Sequence, residues 1–426
     1  MKKLLLLSLG FLISLSAVGK TSLPAQEETD ARKLSGNLRA YPYLDNEPPV
    51  QTPPPAGYFP FHLEHYGRHG SRWLIGGNDY LTPVRNLEKA EKAGLLTPLG
   101  EETLAALRDI EKASRNRLGE LSDIGALQHR AIGRRMARNY PEIFCDSAAV
   151  DAKSTIVIRC ILSMLNGLQG ISEVAPGVNI SSDASQADMR FMNYDDRPAW
   201  EIKDRAEATV LKDYRERHAI GDDYLSRLVK DKQFARDSVA PGLMPYLYWV
   251  LANTQSHSGQ PWLLDRVFSA DELRNAWRYD NGMWTLHSIN SPLTEGRMPF
   301  TQRNLLRNII ESADTAINSI RPSANLRYGH DGILINFITL TEADGLGREF
   351  ATIEEAEAAG MRSYDLIPMA GNMQIIFYRN PAGGDVLVKA MVNEKEVTLP
   401  AKPVSGPYYR WTDLRDYYLR KIAPFD

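Results

Sequence analysis

The hydrophobic and polar positions divide the 426-residue chain into stretches of different character. Up to about residue 185, short apolar runs alternate with amphipathic segments such as 101–113 and 126–137, whose apolar residues recur at helical spacing. The alternation returns after residue 320, where 326–340 has the pattern of a strand end followed by an apolar helix. Alternating strands and helices are typical of a sheet with helices on its faces. The pattern predicts an α/β fold with a central mixed, mostly parallel sheet flanked by helices.

The stretch 185–320 has a different pattern, which is rich in amphipathic and aromatic helical segments and poor in strand-like alternation. We therefore predict an inserted, mostly helical subdomain in this part of the chain. The predicted boundaries are a signal peptide at 1–19, the first part of the α/β domain at 20–184, the helical insertion at 185–320 and the second part of the α/β domain at 321–426.

The pattern after residue 370 is that of strands. The apolar runs 373–378 and 386–392 flank Asn380-Pro381-Ala382-Gly383-Gly384, a sequence with the residue types of a turn. This arrangement predicts a β-hairpin.

The N-terminus has the features of an export signal. Met1-Lys2-Lys3 is followed by an apolar run from Leu4 to Val18, which is shorter than a membrane-spanning helix requires. We expect a periplasmic or secreted protein with no stable membrane association after cleavage of the signal.

Composition and charge narrow the possible functions. The formal net charge of −3 gives no basic footprint for nucleic acid, so we predict no nucleic-acid partner. Cys145 and Cys160 are the two cysteines of the chain, and either a disulfide between them or a buried free thiol at Cys160 agrees with the sequence. The histidines do not occur at metal-ligand spacing, so we predict neither a metal nor another cofactor.

The first candidate for chemistry is Arg68-His69-Gly70-Ser71-Arg72, which follows the strand-like run 58–67. Guanidinium groups bind the oxygens of a tetrahedral dianion in a forked geometry, and a neutral imidazole between them is a potential nucleophile. This combination of residues is suited to a phosphate monoester. The nearby His62 and His65 are expected to be structural.

Two further segments carry matching chemistry. In 151–164, a strand is followed by a helix start with Ser154 or Thr155 as the predicted cap and Arg159 about one turn in, near the helix end that binds anions. At a second strand-to-helix junction stand His330 and Asp331, a hydrogen-bond donor beside a potential acid.

These segments, in this order, resemble the histidine acid phosphatases, a branch of the histidine phosphatase superfamily that includes phytases and multiple inositol polyphosphate phosphatases. Arg68 to Arg72 matches the RHGxR motif of the family, and His330-Asp331 matches its HD pair. The segment 119–144 is most similar to the inositol polyphosphate phosphatases. The resemblance implies a phosphohistidine mechanism without a metal, with His69 as nucleophile and Asp331 as acid. Arg68, Arg72, Arg159 and His330 would bind the phosphoryl group.

The chain also departs from the family pattern. Many members continue the first motif with a proline two residues after its second arginine, whereas this chain has Trp73-Leu74. Phytases usually follow the HD pair with Thr-Asn, and inositol polyphosphate phosphatases carry His-Ala-Glu here, whereas this chain has Gly332-Ile333. The predicted partner is a small-molecule phosphate monoester. An inositol polyphosphate such as phytate is the leading substrate; a broad acid or sugar phosphatase and a non-catalytic phosphate-binding protein are the alternatives.

Overall fold

The structure is a computed structural model that describes residues 27–44, 46–193 and 196–425. The predicted signal peptide at 1–19 lies outside the described residues. Within the described ranges, none of the helices combines the length and the apolar character needed to cross a membrane.

The centre of the fold is a nine-stranded mixed sheet with the order β3-β2-β4-β1-β5-β6-β9-β8, in which β7 also pairs with β6. The strands are β1 (Phe59–Arg68), β2 (Ala149–Ser154), β3 (Asn179–Asp183), β4 (Ser323–Gly329), β5 (Asn372–Arg379), β6 (Leu387–Val392), β7 (Lys395–Val397), β8 (Pro403–Ser405) and β9 (Tyr408–Arg410).

The sheet has a parallel part and an antiparallel part. Strands β3, β2, β4 and β1 pair in parallel, while β5 to β9 add antiparallel strands on the other side of β1. In register, Arg68 is opposite Gly329, and Ser154 is opposite Tyr328. The carboxyl ends of β1, β2 and β4 therefore meet at one edge of the sheet. The predicted mixed α/β sheet with flanking helices is confirmed, but parallel pairs do not dominate among the described strands, since three pairs are parallel and five are antiparallel. The predicted hairpin is formed by β5 and β6.

Helices cover both faces of the sheet and also form a layer with its own core. The α-helices of the described residues are α1 (Gly77–Lys92), α2 (Pro98–Ser114), α3 (Asp123–Asn139), α4 (Ile158–Val174), α5 (Met189–Met192), α6 (Arg197–Ala206), α7 (Lys212–Arg217), α8 (Leu225–Leu228), α9 (Lys232–Phe234), α10 (Tyr246–Asn253), α11 (Leu264–Val267), α12 (Ala270–Leu286), α13 (Arg303–Ile317), α14 (Asp331–Leu340), α15 (Ile353–Ala359), α16 (Ser363–Leu366) and α17 (Trp411–Ile422). Apolar side chains of α3 and α4 pack on one face of the sheet, and those of α13, α14 and α17 pack on the other.

The described residues between β3 and β4 form helices and loops without a strand. The apolar side chains of 224–277 build a separate hydrophobic core together with those of α1 and α2, which belong to an earlier part of the chain. Helix α13, from the same segment, packs on the sheet instead. We call the helices around the separate core the helical layer. It is assembled from two segments that are far apart in the chain, because the apolar faces of α1 and α2 share its core.

The structure decides where helix α4 begins and whether the two cysteines are bonded. Helix α4 does not begin with a cap from Ser154 or Thr155: its N-cap is Val157, without a side-chain hydrogen bond. The reason is that Ser154 is the last residue of β2, and the Thr155 N–H donates to the Tyr328 carbonyl of β4. Arg159 is consequently the second residue of the helix. Cys145 and Cys160 are both free thiols.

Candidate active site

The end of β1 delivers Arg68 and His69 to the sheet edge. The His69 N–H donates to the Gly329 carbonyl at the end of β4 (2.9 Å), and its carbonyl accepts from Ala370 (3.0 Å). The last residue of β4 and the segment just before β5 thus hold the backbone of His69, whose side chain is buried.

The loop after His69 is held by hydrogen bonds and close packing against helices α3 and α4. Gly70 lies so close to α3 that a Cβ atom there would be 2.5 Å from the Gly125 carbonyl, so a side chain is excluded. The Gly70 N–H donates to Ser163 Oγ of α4 (3.0 Å), and the Ser71 N–H donates to Gln128 Oε1 of α3 (2.9 Å). This close packing explains why the motif has glycine after its histidine.

The hydrogen bonding of His69 defines its tautomer. Nδ1 lies 2.9 Å from the Gly70 carbonyl, which can only accept, so Nδ1 carries the proton and Nε2 keeps its lone pair. Burial, followed by the charges of Arg68, Arg72 and Arg159, holds the pKa of His69 well below its usual value. The imidazole is therefore neutral and has the electronic state that a nucleophile requires.

The three arginines predicted to bind phosphate converge electrostatically on His69. Arg68 is fully buried, and its Nη1 donates to the carbonyls of Asn37 (2.6 Å) and Ile367 (2.5 Å). Burial and the charge of Arg68 lower the pKa of Arg72 to about 10, which still leaves it charged at neutral pH. Arg159, in the first turn of α4, adds its charge close to the helix N-terminus.

His330 is the N-cap residue of α14, and Asp331 is the first residue of that helix. The rings of His69 and His330 are 6.1 Å apart between centroids, and His330 Nε2 lies 3.2 Å from Thr155 Oγ1. Burial lowers the pKa of His330 to about 4. Asp331 Oδ2 forms an ion pair with Arg68 Nη2 at 2.8 Å.

The pKa of Asp331 results from opposing effects. Burial raises it, but Arg68, Arg72 and His330 together outweigh burial, so the pKa lies below its ordinary value. Asp331 is the carboxylate that forms an ion pair with Arg68, and the charge of Arg72 also acts on the carboxylate of Asp79. The cluster as a whole keeps a positive excess, which suits a dianionic ligand.

All six residues predicted from the sequence therefore occupy one edge of the sheet. The two histidines expected to be structural are buried in β1. The His62 ring bonds to Glu64 (2.8 Å), and burial lowers the pKa of His65 to about 3. Among the residues that the structure describes, no group of histidine, cysteine or acidic side chains is arranged to hold a metal.

Sequence reasoning missed the residues that position Arg72. Asn253, at the end of α10, donates from Nδ2 to the Arg72 carbonyl (3.1 Å) and lies 3.1 Å from His257 Nε2. The ring of Trp73 stacks on His257 with centroids 3.9 Å apart, and the Trp73 carbonyl accepts from Arg72 Nη1 (2.9 Å). Trp73, the residue directly after Arg72, thus provides a contact to the helical layer.

Asn37 is another residue that no motif indicated. Its Nδ2 is 3.4 Å from Asp331 Oδ2, and its carbonyl binds Arg68. Asn37 is nearly 300 residues from Asp331 in sequence, so the local pattern around either residue gives no signal for this contact.

A cavity of about 260 Å³ opens beside His330 and Asp331. Its walls come from α6, α12, α14 and the segment before α13, and they include Ala199, Trp200, Lys203, Trp284, His287, Met298, Thr301, Gln302, Gly332, Ile333, Ile335 and Asn336. The cavity connects the candidate acid with the helical layer.

The mixed sheet with its flanking helices has the α/β architecture of solved phytase-type phosphatases. The chain is similar to the multiple inositol polyphosphate phosphatase of Bifidobacterium longum in complex with phosphate, at a TM-score of 0.74 and 18% identity, over 92% of this chain and 98% of that chain. A phytase from D. castellii matches at a TM-score of 0.70 and 17% identity, over 97% of this chain and 90% of that one.

The phytase of Hafnia alvei is more distant, with a TM-score of 0.54 and 13% identity over 87% of this chain and 99% of that chain. No family model and no curated protein matches the sequence. At these identities the comparisons establish the fold.

Proposed function

We propose that the protein is a phosphomonoester hydrolase that works through a phosphohistidine at His69. The observation that carries the proposal is a neutral imidazole with Nε2 unprotonated, in the field of three guanidinium groups. Phosphoryl transfer depends on charge neutralisation, an in-line nucleophile and an acid for the leaving oxygen, and the cluster has a candidate for each.

The reaction has two steps. In the first, Nε2 of His69 attacks phosphorus, the P–O bond to the leaving alcohol breaks, and Asp331 gives its proton to the departing oxygen. In the second, water attacks phosphorus, its proton passes to the Asp331 carboxylate, and the N–P bond breaks to release phosphate. Arg68, Arg72, Arg159 and His330 hold the phosphoryl oxygens throughout, and Nδ1–H stays bonded to the Gly70 carbonyl.

We propose inositol polyphosphates as the substrate class. The support comes from the solved structures with this fold, which include an inositol polyphosphate phosphatase, also determined with inositol hexasulfate, and several phytases. The apolar run near the N-terminus further leads us to propose that the enzyme acts after export, in a periplasm or outside the cell.

A broad acid or sugar phosphatase is the second candidate. It is favoured by the cavity beside Asp331, because Lys203 is the only lysine or arginine among the described residues that line it. A highly phosphorylated ring would require more cations there.

The decisive experiment is rapid quenching of the purified enzyme with phytate at mildly acidic pH, followed by mass spectrometry of the His69 peptide under alkaline conditions. We expect a phosphoryl group on His69 and a loss of turnover in His69→Ala of roughly a thousandfold or more. His218→Ala, which changes a histidine outside the cluster, is the control and should retain activity. Phosphate binding without a phosphoenzyme would establish the phosphate-binding protein instead.

A further inference from the structure

The cavity beside Asp331 has a mostly apolar and aromatic lining. Trp200, Trp284, Met298 and Ile333 contribute to it. Gly332 contributes no side chain, and a Cβ atom at this position would have Trp284 as its nearest neighbour, at 4.0 Å. The space next to the acid is therefore open because residue 332 is glycine, and a larger residue would fill it without displacing backbone.

Among the described lining residues, one ammonium group, Lys203, stands beside two carboxylates, Asp196 and Asp331. Both carboxylates already have cationic partners, since Asp196 pairs with Arg297 and Arg303 and Asp331 pairs with Arg68. Lys203 Nζ lies 4.0 Å from the centroid of the Trp200 ring, which fixes it on one wall. Its distances to carboxylate oxygens are 4.0 Å (Asp204) and 3.9 Å (Glu207), too long for hydrogen bonds. The Lys203 side chain is 18% exposed, so it is partly desolvated and keeps hydrogen-bond donors for an anion.

The position of the cavity defines its occupant in the reaction. Asp331 must lie next to the oxygen that leaves phosphorus, so the space beyond Asp331 receives the leaving alcohol. The volume of about 260 Å³ is near the lower end for ligand pockets, which suits one ring better than an extended chain. Tryptophan walls favour the C–H face of a ring, and a single cation matches a single anionic substituent.

We propose that this cavity is the leaving-group subsite, and that it selects a polyol ring carrying one phosphate besides the one being cleaved. The inference rests on the proposed phosphatase function and specifies its substrate: Trp200 and Trp284 contact the ring, and Lys203 binds the second phosphate. A fully phosphorylated ring gains nothing further in this subsite, since its other phosphates meet no second lysine or arginine among the described lining residues.

The first test measures kcat/KM for inositol monophosphate, inositol bisphosphates and phytate. The wild type should prefer its best bisphosphate about tenfold over the monophosphate, and phytate should be no better than the bisphosphate. In Lys203→Met the ratio of bisphosphate to monophosphate kcat/KM should fall about tenfold, the typical loss for a charge-assisted hydrogen bond. Lys212→Met, which removes an exposed lysine outside the cavity, is the matched control and should leave the ratio unchanged.

The second test reduces the volume of the cavity and leaves the charge of Lys203 unchanged. In Gly332→Val, a side chain against Trp284 should raise KM about tenfold for every inositol substrate, while the inhibition constant of inorganic phosphate stays within twofold because the arginines are untouched. Trp200→Ala, at a half-exposed position, should raise KM for inositol substrates without loss of folding.

The outcomes separate the two proposals. His69-dependent turnover with an unchanged ratio in Lys203→Met, or an unchanged KM in Gly332→Val, would overturn the subsite and leave the phosphatase intact. Absence of His69-dependent turnover would overturn the proposed function. In that case calorimetric binding of an inositol bisphosphate to His69→Ala, with and without Lys203→Met, decides on the subsite by the same tenfold criterion.

Discussion

At the scale of single residues, Asp331 has two opposing requirements. Its ion pair with Arg68 favours the charged carboxylate, whereas its proposed role as an acid requires the protonated form. In the free protein its carboxylate pairs with Arg68, and its pKa is below the ordinary value. A bound phosphate dianion competes for the same guanidinium and repels the carboxylate, so ligand binding raises the proton affinity of Asp331. The proposed acid is thus charged when the site is empty and acquires its proton as the substrate binds.

We expect a pH dependence with a definite sign. Because protonated Asp331 is the active form in the first step, kcat/KM should fall as pH rises above the depressed pKa of Asp331, which gives an acidic optimum. Asp331→Asn should lose about 10² to 10⁴-fold in kcat/KM with alkyl phosphates and far less with nitrophenyl phosphate, measured as pH profiles. Equal losses with both leaving groups would contradict the role of Asp331 as acid.

At the scale of elements, β1 and β4 must keep their register, because His69 directly follows β1 and His330 directly follows β4. A buried network near the middle of these strands ties them together: the Glu64 carboxylate of β1 pairs with Arg327 of β4 and accepts hydrogen bonds from His62 (2.8 Å) and Asn325 (2.9 Å). Burial raises the pKa of Glu64, but the opposing effect of Arg327 and His62 is larger, so the pKa falls from its ordinary value of 4.5 to about 2.

Glu64→Gln tests this network. It leaves Arg327 buried without its counter-charge, so the free energy of unfolding should fall by about 3–5 kcal/mol at neutral pH. Since the folded pKa of Glu64 is about 2 and its ordinary value is 4.5, the stabilisation is complete above about pH 4.5 and is lost as pH falls toward 2.

Urea denaturation at pH 7 and at pH 3 measures this difference, which should be smaller at the lower pH. Glu111→Gln removes a surface partner of Arg115 and should change stability by less than about 1 kcal/mol. A difference for Glu64→Gln that is independent of pH would contradict the assignment.

At the scale of the whole molecule, the site joins the sheet to the helical layer. Asn253 of α10 binds the Arg72 carbonyl, while the carbonyls of Asn37 and Ile367 bind Arg68. A phosphate ligand that is held by these arginines can bind the folded protein only, because the unfolded chain does not bring them together.

Inorganic phosphate should therefore stabilise the fold. At a concentration of 100 times Kd, the expected gain is about 2.7 kcal/mol in the free energy of unfolding, seen as a rise of Tm against sodium chloride at equal ionic strength. Arg159→Met should weaken this effect, because Arg159 contributes to the cluster from a half-buried position without supporting the core. An equal rise of Tm in the variant would place the phosphate elsewhere.

The sequence by itself determined the class of fold and the residues of the candidate site. Local periodicity showed where strands and helices alternate, and the short motifs at 68–72 and 330–331 contained a candidate nucleophile, cations and a candidate acid, whose residue types limit the possible reactions. A glycine after His69 could be noted from the motif, but its reason, contact with Gly125 of α3, required the structure.

Only the tertiary structure decided the order of the strands, the start of α4 at Ile158 and the residues that support the arginines. Asn37, Asn253 and the cavity beside Asp331 carry no local signal, because their roles come from contacts between segments far apart in the chain. Hydrophobic periodicity specifies which face of an element is buried. Which partner buries it is a property of the packing of the whole chain, and this packing also shapes the space left for the substrate.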